Sequence, residues 1–298
     1  GGGGLIGSNL AVEFARHRGR VIIVDLAREP VYPFLLEKSE SRLGSRILQI
    51  EANVLDLNSL LEVTKKYGVI GMVHAAAVSL IPEAKSDPQR AIAVNVMGTA
   101  NALEVSRRLD LKSFVYISSS SVYGNPKYTP MDEEHPLEPL DIYGGTKLAG
   151  EELALSYRRT YWLNVRIVRP TNVYGPGETN DRVVKTFVEN ALTGKPLQLK
   201  GGEQHRDFTY VLDAVRGIRL AFECEEAVGE VFNISSGEHH SLRELAELVC
   251  GYIPDARVEI VPGRELGISY RYLDTRKAER VLGYKPRYSL ESGIGEYI

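Results

Sequence analysis

The residues with the clearest chemical potential are Tyr143 and Lys147, which stand four positions apart in the run Tyr143-Gly144-Gly145-Thr146-Lys147. Side chains at this spacing lie on the same face of a helix. An ammonium there would favour the phenolate and lower the pKa of the phenol, so Tyr143 could act as a general base near neutral pH. The spacing is also common on solvated helices. It gains weight here from a serine run, Ser118 to Ser121, just upstream.

The chain begins with a glycine-rich segment, Gly1 to Gly7, that fits both G-x-x-G-x-x-G and G-x-G-x-x-G. Such glycines allow a tight turn and let a pyrophosphate approach backbone N–H groups. A helix is predicted at 8–18, and its N-terminus would favour the anion. A buried strand follows at 21–24 and ends in Asp25, whose carboxylate would accept both ribose hydroxyls of adenosine and repel a 2′-phosphate. The segment therefore predicts an NAD site that disfavours NADP.

Strands and helices alternate over the first 170 residues, which is typical of a doubly wound parallel sheet. Beyond Pro170 glycine and proline become frequent, and short elements mix with helices. We therefore expect an α/β fold with a Rossmann-type NAD-binding domain at 1–170 and a smaller, mainly substrate-binding domain at 171–298, from which some segments return to the first. Strands are predicted at 47–52, 69–74, 114–118, 165–168 and 231–234, and helices at 58–67, 89–108, 143–161, 213–222 and 241–251.

A glycine loop of this kind normally follows the first strand of the sheet, whereas this sequence begins at the loop. A parallel sheet without that strand would leave backbone groups and apolar neighbours uncovered. We expect a leading strand to precede Gly1 in a longer chain.

The composition excludes several classes of partner. The net charge of −3 over 298 residues gives no reason to expect nucleic acid. Two cysteines, Cys224 and Cys250, are too few for a metal framework and are typical of reduced thiols in a cytoplasmic protein. Since no apolar run reaches membrane-spanning length, no membrane partner is expected.

Several short segments, in this order, resemble an extended short-chain dehydrogenase/reductase of the NAD-dependent epimerase/dehydratase family. The resemblance covers nearly the whole chain. The segments are Gly1–Gly7, Asp25, Asp56, His74–Ala77, Asn95–Thr99, Ser119–Gly124, Tyr143–Lys147, Arg169–Gly175, Arg206–Phe208 and Leu282–Pro286.

The resemblance implies roles for particular residues. Ser119 would bond the sugar 4-oxygen and relay a proton, Tyr143 would be the base, and Lys147 would bind the nicotinamide ribose. The implied NAD-binding residues are Gly1, Gly4, Leu5, Ile6, Gly7, Asp25, Asp56, Ala75, Ala76, Asn95, Tyr143 and Lys147. The alternative role for Asp56 is that of a helix N-cap. His74 lies at a strand end in the NAD site, and the alternative to a direct chemical role is a purely structural one.

The implied substrate-binding residues are Ser79, Ser119, Tyr143, Asn172, Arg206 and Arg264. Asn172 and Arg206 match positions that contact a nucleotide diphosphate, which suits a guanidinium fork. Arg264 is a weaker match because the family's Arg-Pro-Gly-Asp is Arg-Glu-Leu-Gly here, and a solvated loop arginine is the alternative. His205 and Arg182 are further pocket candidates, with surface positions as the alternative.

Departures from the family pattern narrow the reaction. Sugar 4,6-dehydratases carry Asp-Glu after the catalytic residue, where this chain has Ser120 and Ser121, and neither hydroxyl is a strong base without a partner. We expect a nucleotide-sugar 4-epimerase of the UDP-glucose/UDP-galactose type, acting by transient oxidation at carbon 4. A UDP-glucuronate 4-epimerase, a decarboxylase and a 4-keto-sugar reductase stay open as alternatives. A non-catalytic NAD-binding scaffold would predict loss of Ser119, Tyr143 or Lys147.

The resemblance also implies a homodimer built from the helices predicted at 89–108 and 143–161. Leu103, Leu148, Leu153 and Leu155 would supply apolar groups that one face of a sheet does not bury. The alternative is that these leucines pack on the sheet of a monomer.

Overall fold

The computed structural model describes residues 1–17, 19–26, 32–36, 38–262 and 270–298. The strands are β1 Val21–Asp25, β2 Ile47–Glu51, β3 Gly71–His74, β4 Ser113–Ile117, β5 Val165–Pro170, β6 Val173–Tyr174, β7 Leu197–Lys200, β8 His205–Arg206, β9 Thr209–Tyr210, β10 Val231–Ile234, β11 His240–Ser241, β12 Val258–Val261 and β13 Tyr270–Arg271. The helices are α1 Leu5–Arg16, α2 Leu57–Lys66, α3 Ile81–Ser86, α4 Pro88–Ile92, α5 Gly98–Arg108, α6 Ile142–Tyr161, α7 Val183–Leu192, α8 Val211–Glu223, α9 Leu242–Tyr252, α10 Arg276–Leu282 and α11 Leu290–Tyr297.

The main sheet has four parallel strands in the order β10-β5-β4-β3, and β1 and β2 form a separate parallel pair. The backbone of Gly1 and Gly2 lies between the two parts. The amino group of Gly1 and the amide of Gly2 both donate to the carbonyl of Val24 at the end of β1. On the other side, a Cβ at Gly1 would lie 2.2 Å from the Ala76 amide, just past β3. The glycine loop therefore sits where the carboxyl ends of the strands meet.

The strands of the main sheet are covered on both faces, as their apolar composition requires. Side chains of a strand point alternately to its two faces. Val115 and Ile117 of β4 belong to a cluster with residues of α1 and α8, whereas Phe114 and Tyr116 belong to one with residues of α5 and α6. The arrangement confirms the expected doubly wound α/β fold.

The later part of the chain both returns to this sheet and forms small sheets of its own. Strand β10 pairs with β5, and α8 is tied to α1 by an ion pair between Arg219 Nε and Glu13 Oε1 at 2.8 Å. The smaller sheets pair β6 with β9, β7 with β12, and β8 with both β11 and β13. The division into domains at residue 170 stays a prediction.

Two helices differ from their predicted bounds. Helix α1 begins at Leu5 rather than Ser8, so the last glycines of the loop lead directly into it. The helix predicted at 89–108 is interrupted by a π-helical turn, Ala93–Met97, between α4 and α5. Within that turn Asn95 accepts from the amide of Val78 at 2.7 Å and donates to its carbonyl at 3.2 Å. A wider turn of this kind often marks a functional site.

The leucines expected at a dimer interface are largely used inside the subunit. Leu103 is fully buried under the sheet, so its assignment to an interface was wrong. Leu148, Leu153 and Leu155 are partly buried against core clusters. The α4–α5 segment instead exposes Ile92 and Met97, which are 42% and 56% accessible.

Among the helices within the described ranges, none combines the length and apolar character needed to cross a membrane.

Candidate active site

The catalytic residues predicted from the sequence meet at the carboxyl end of β4. Ser119 follows β4, and Tyr143 lies in the first turn of α6, which Asp141 caps by accepting from the amide of Gly144 at 2.8 Å. A Cβ at Gly144 would lie 2.7 Å from the Ser121 carbonyl oxygen, so glycine lets the helix start against the serine run. This close packing brings Ser119 near enough to the Tyr143 phenol for its hydroxyl to lower the pKa of that phenol.

The electrostatics around Tyr143 differ from the expectation. Burial raises the pKa of Tyr143, while the hydrogen bond from Ser119 and the charge of Arg182 oppose that rise. Lys147 is not among the groups that lower this pKa. Its ammonium instead lies 4.4 Å from the centre of the Tyr116 ring. Burial lowers the pKa of Lys147 to about 7, so the side chain is only partly protonated at neutral pH.

The glycine loop has the form that a bound pyrophosphate requires. Helix α1 begins after Gly4 without a side-chain cap, so the amides of its first turn, including Leu5 and Ile6, stay available to an anion. A Cβ at Gly7 would lie 2.5 Å from the carbonyl oxygen of Gly1, so the loop and helix pack too closely for any other residue. The amide of Gly3 donates to Asp25 Oδ2 at 2.9 Å, which ties the loop to the end of β1. These residues fit NAD.

Other predicted cofactor residues surround the loop. Ala75 and Ala76 abut Gly1. Asn95 supports the cofactor site through its hydrogen bonds: it accepts from the amide of Val78 and donates to Thr146 Oγ1 at 2.9 Å. Asp56 caps α2 by accepting from the amide of Ser59 at 3.0 Å, so the N-cap alternative is observed, and its role in binding NAD stays a prediction.

His74 has the environment of a structural histidine. It is buried, and its Nε2 lies 3.0 Å from Thr99 Oγ1, which itself donates to the Asn95 carbonyl. Burial, and then the nearby charge of Lys147, lowers the pKa of His74 to about 3. The imidazole is therefore neutral and donates to Thr99.

A cavity of about 280 Å³ brings together the predicted substrate residues Ser79 and Asn172. Arg182, whose side chain is 35% accessible, also lines it. Its Nη2 donates to Ser79 Oγ at 3.4 Å, and its Nε lies 3.3 Å from Glu178 Oε2. The Asn172 amide donates to the Asp207 carbonyl at 2.9 Å, which fixes that side chain at the cavity wall.

Arg206 has a partner that the sequence did not suggest. Strands β8 and β13 place it beside Arg271, and burial and the charge of Arg271 lower the pKa of Arg206. Within the described ranges, neither guanidinium has a carboxylate in ion-pair distance. Arg271 donates to Asn125 Oδ1 at 2.7 Å, and its buried Nε has no partner there. The pair therefore suits an anion such as a diphosphate.

The remaining candidates are less informative. Nδ1 of His205 lies 3.1 Å from Nδ1 of His239, beside the two arginines. Arg264 lies outside the described residues, so its role stays a prediction. Across the part of the chain that the structure describes, no cluster of three His, Cys, Asp or Glu side chains is placed to hold a metal ion.

Sequence reasoning missed two further residues. No local signal marks Arg271, because its role depends on the pairing of β13 with β8. Glu151 is buried four residues after Lys147 on α6, and the helical spacing that singled out Tyr143 and Lys147 continues to it.

Comparisons with known proteins agree with this geometry. The sequence model of the NAD dependent epimerase/dehydratase family matches residues 1–235. A putative UDP-glucose 4-epimerase of Methanocaldococcus jannaschii is 33% identical over 99% of this chain and 94% of its own length.

Solved structures give the same result. The UDP-glucose 4-epimerase of Thermotoga maritima, solved with UDP-glucose, superposes with a TM-score of 0.89 at 29% identity, covering 100% of this chain and 95% of that one. The UDP-glucuronic acid 4-epimerase of Bacillus cereus, solved with UDP-glucuronic acid and NAD, gives a TM-score of 0.85 at 28% identity, with coverages of 99% and 95%. These matches confirm the resemblance drawn from the motifs, the Rossmann-type fold and NAD as the cofactor. The chain belongs to the NAD-dependent epimerase/dehydratase family.

Proposed function

We propose that this protein is a nucleotide-sugar 4-epimerase of the UDP-glucose/UDP-galactose type that works by transient oxidation at carbon 4. The packing of the first turn of α6, which carries Tyr143, against the serine run that includes Ser119 carries the proposal. A relay hydroxyl and a phenol at the carboxyl end of β4 would face the nicotinamide of a dinucleotide bound at the glycine loop, as hydride transfer requires. A protein that merely senses NAD would have no use for this pair.

Each residue then has a defined task. When bound, NAD accepts a hydride from carbon 4 and later returns it. Tyr143 takes the proton of the 4-hydroxyl, directly or through Ser119, and gives it back after the sugar has turned. Lys147 in its ammonium form would bind the ribose, while Ser119 and Arg182 favour the phenolate of Tyr143.

The binding groups support a turn of the sugar. Arg206 and Arg271 offer charge-assisted hydrogen bonds to the diphosphate, which are strong. Ser79 and Asn172, neutral polar groups that line the cavity, would make weaker contacts with the sugar. A substrate held mainly by its diphosphate can present either face of a 4-keto sugar without leaving the site. We further propose a UDP-sugar as the substrate, on the strength of the relatives, and a homodimer as the assembly.

The serines that replace the dehydratase acids support epimerisation over dehydration. Ser120 Oγ donates to Thr171 Oγ1 at 2.9 Å, and Ser121 Oγ accepts from Ser119 Oγ at 3.2 Å. Neither hydroxyl contacts a basic side chain in these bonds, so neither gains the strength needed to remove a proton from carbon 5.

A second candidate is 4-epimerisation of a nucleotide-uronic acid, which Arg182 favours. Its charge acts on Tyr143, so the guanidinium lies near the reacting end of the cavity. A sugar carboxylate could compete there with Glu178 for this cation.

Incubation with UDP-, GDP- and dTDP-sugars, with products read by NMR, tests the proposal. We expect interconversion of UDP-glucose and UDP-galactose without added NAD, since the cofactor is regenerated in each turnover. Turnover of UDP-glucuronate alone would favour the second candidate. A 4-keto-6-deoxy product, or no turnover of any 4-hydroxy sugar, would contradict the proposal.

A further inference from the structure

Glu151 is a buried carboxylate in the helix that carries Tyr143 and Lys147. It lies one turn beyond Lys147 and is 1% exposed, whereas its neighbour Glu152 faces solvent. Carboxylates are rarely so buried unless they are paired. None of the roles described above uses Glu151.

Its two oxygens join three segments of the active site. Oε1 accepts from Ser118 Oγ at 2.5 Å and from Arg169 Nε at 2.9 Å, and Oε2 accepts from Arg169 Nη2 at 2.7 Å. Ser118 directly precedes Ser119 at the end of β4. Arg169 lies in β5, three residues before Asn172. One carboxylate therefore links the helix of Tyr143 to the strand ends that carry Ser119 and Asn172.

Arg169, which makes the bidentate ion pair with Glu151, is itself held in place by a chain of hydrogen bonds. Its Nη1 donates to the Tyr123 hydroxyl at 2.9 Å, and that hydroxyl donates to Asn233 Oδ1 at 2.7 Å. Asn233 in turn donates to the carbonyl of Met131 at 3.0 Å. A bidentate pair held in this way has little freedom to move.

Glu151 also acts on the charge of Lys147. Burial lowers the pKa of Lys147 and Glu151 opposes that change. The other groups that face Lys147 are uncharged at neutral pH, since burial lowers the pKa of His74 and raises that of Tyr116. The groups acting on Tyr143 are Ser119, Arg182 and Asp141.

We propose that Glu151 is a positioning residue for the proton-transfer groups: through Ser118 it holds Ser119 in place beside Tyr143, and its charge, one helical turn from Lys147, favours the ammonium form of that lysine. The two functions are separable, because the first depends on the reach of the side chain and the second on its charge.

The charge function is tested by following the ¹³Cε signal of Lys147 against pH in lysine-labelled protein, with the signal assigned by its loss in Lys147→Arg. Glu151→Gln should lower the pKa of Lys147 by about 1 unit or more, since an opposite charge at close range is removed. Glu151→Asp keeps the charge and should leave the titration close to wild type. Glu152→Gln is the matched control on the same helix and should not move it.

The positioning function is tested by kinetics and rests on the proposed function. Ser118→Ala and Glu151→Asp should lower kcat by about tenfold to a hundredfold with KM unchanged, because small misplacements of reacting groups have effects of this size. Glu152→Gln should keep the wild-type kcat. Removal of one partner of a buried ion pair can prevent folding. If Glu151→Gln fails to fold, the kinetics of Glu151→Asp and Ser118→Ala still test the positioning function.

An unmoved Lys147 titration in folded Glu151→Gln would overturn the charge function. Wild-type kcat in both Ser118→Ala and Glu151→Asp would overturn the positioning function. Should no nucleotide sugar be turned over, the proposed function fails, yet the titration still decides whether Glu151 governs the charge of Lys147.

Discussion

The ammonium of Lys147 lies over the ring of Tyr116, 4.4 Å from its centre. Both partners are buried. A cation over an aromatic face is stabilised by the ring, but the loss of water around it dominates, so the pKa of Lys147 falls to about 7. The charge of Lys147 is therefore close to titration at neutral pH.

This depressed pKa makes stability depend on pH in a definite direction. Between pH 7 and about 10, unfolded Lys147 is protonated and folded Lys147 is not. Unfolding then takes up a proton, so the free energy of unfolding rises with pH, by up to about 1.4 kcal/mol per pH unit, and the slope disappears below pH 7 where both states are protonated. Urea titrations at a series of pH values give the free energy of unfolding of the NAD-free wild-type protein and of Lys147→Met. The difference between the two should change with pH by this slope. Lys112→Met, at an exposed position, is the control, and a flat difference above pH 7 would refute the assignment.

Tyr143→Phe should lower kcat by about a hundredfold or more, because it removes the oxygen that takes and returns the proton. NAD content and fold should stay intact, whereas Lys147→Ala should also lose NAD. Tyr161→Phe, at an exposed position of the same helix, is the matched control. Activity of Tyr143→Phe within tenfold of wild type would contradict the role of Tyr143 as base.

Asp25 should give NAD an advantage over NADP of about tenfold or more, because its carboxylate would repel a 2′-phosphate. Asp25→Asn should narrow the difference mainly by improving NADP binding. Calorimetry measures the affinities of the wild-type protein and of the variant for NAD and for NADP. Equal affinities of the wild-type protein would rule the prediction out.

The homodimer should depend on Ile92 and Met97, the apolar side chains that the α4–α5 segment exposes. Met97→Glu should convert a species of twice 33.1 kDa into one of 33.1 kDa in light scattering. Leu192→Glu, an equally exposed apolar position on α7, should leave the dimer intact. A wild-type monomer at micromolar concentration with NAD present would defeat the prediction.

Periodicity and motif order were sufficient to predict the alternating fold, and the positions of Ser119, Tyr143 and Lys147 followed from the family motifs. The interruption at Ala93–Met97 was not predictable, because it follows from the hydrogen bonds of Asn95 to Val78, which no local pattern encodes. The pKa of Tyr143 was also misjudged, since spacing shows that Lys147 is near but not that burial outweighs its charge. Arg271 was missed because its proposed role in binding an anion depends on its pairing with Arg206, which lies sixty-five residues earlier in the chain.

The fate of a label at carbon 4 tests the central claim most directly. The protein is incubated with UDP-glucose carrying deuterium at that carbon, and the product is analysed by NMR and mass spectrometry. Transient oxidation predicts UDP-galactose that keeps the deuterium at carbon 4, with no hydrogen from solvent at that position. Wash-out of the label into water, or its appearance at carbon 6 of a deoxy sugar, would contradict the account.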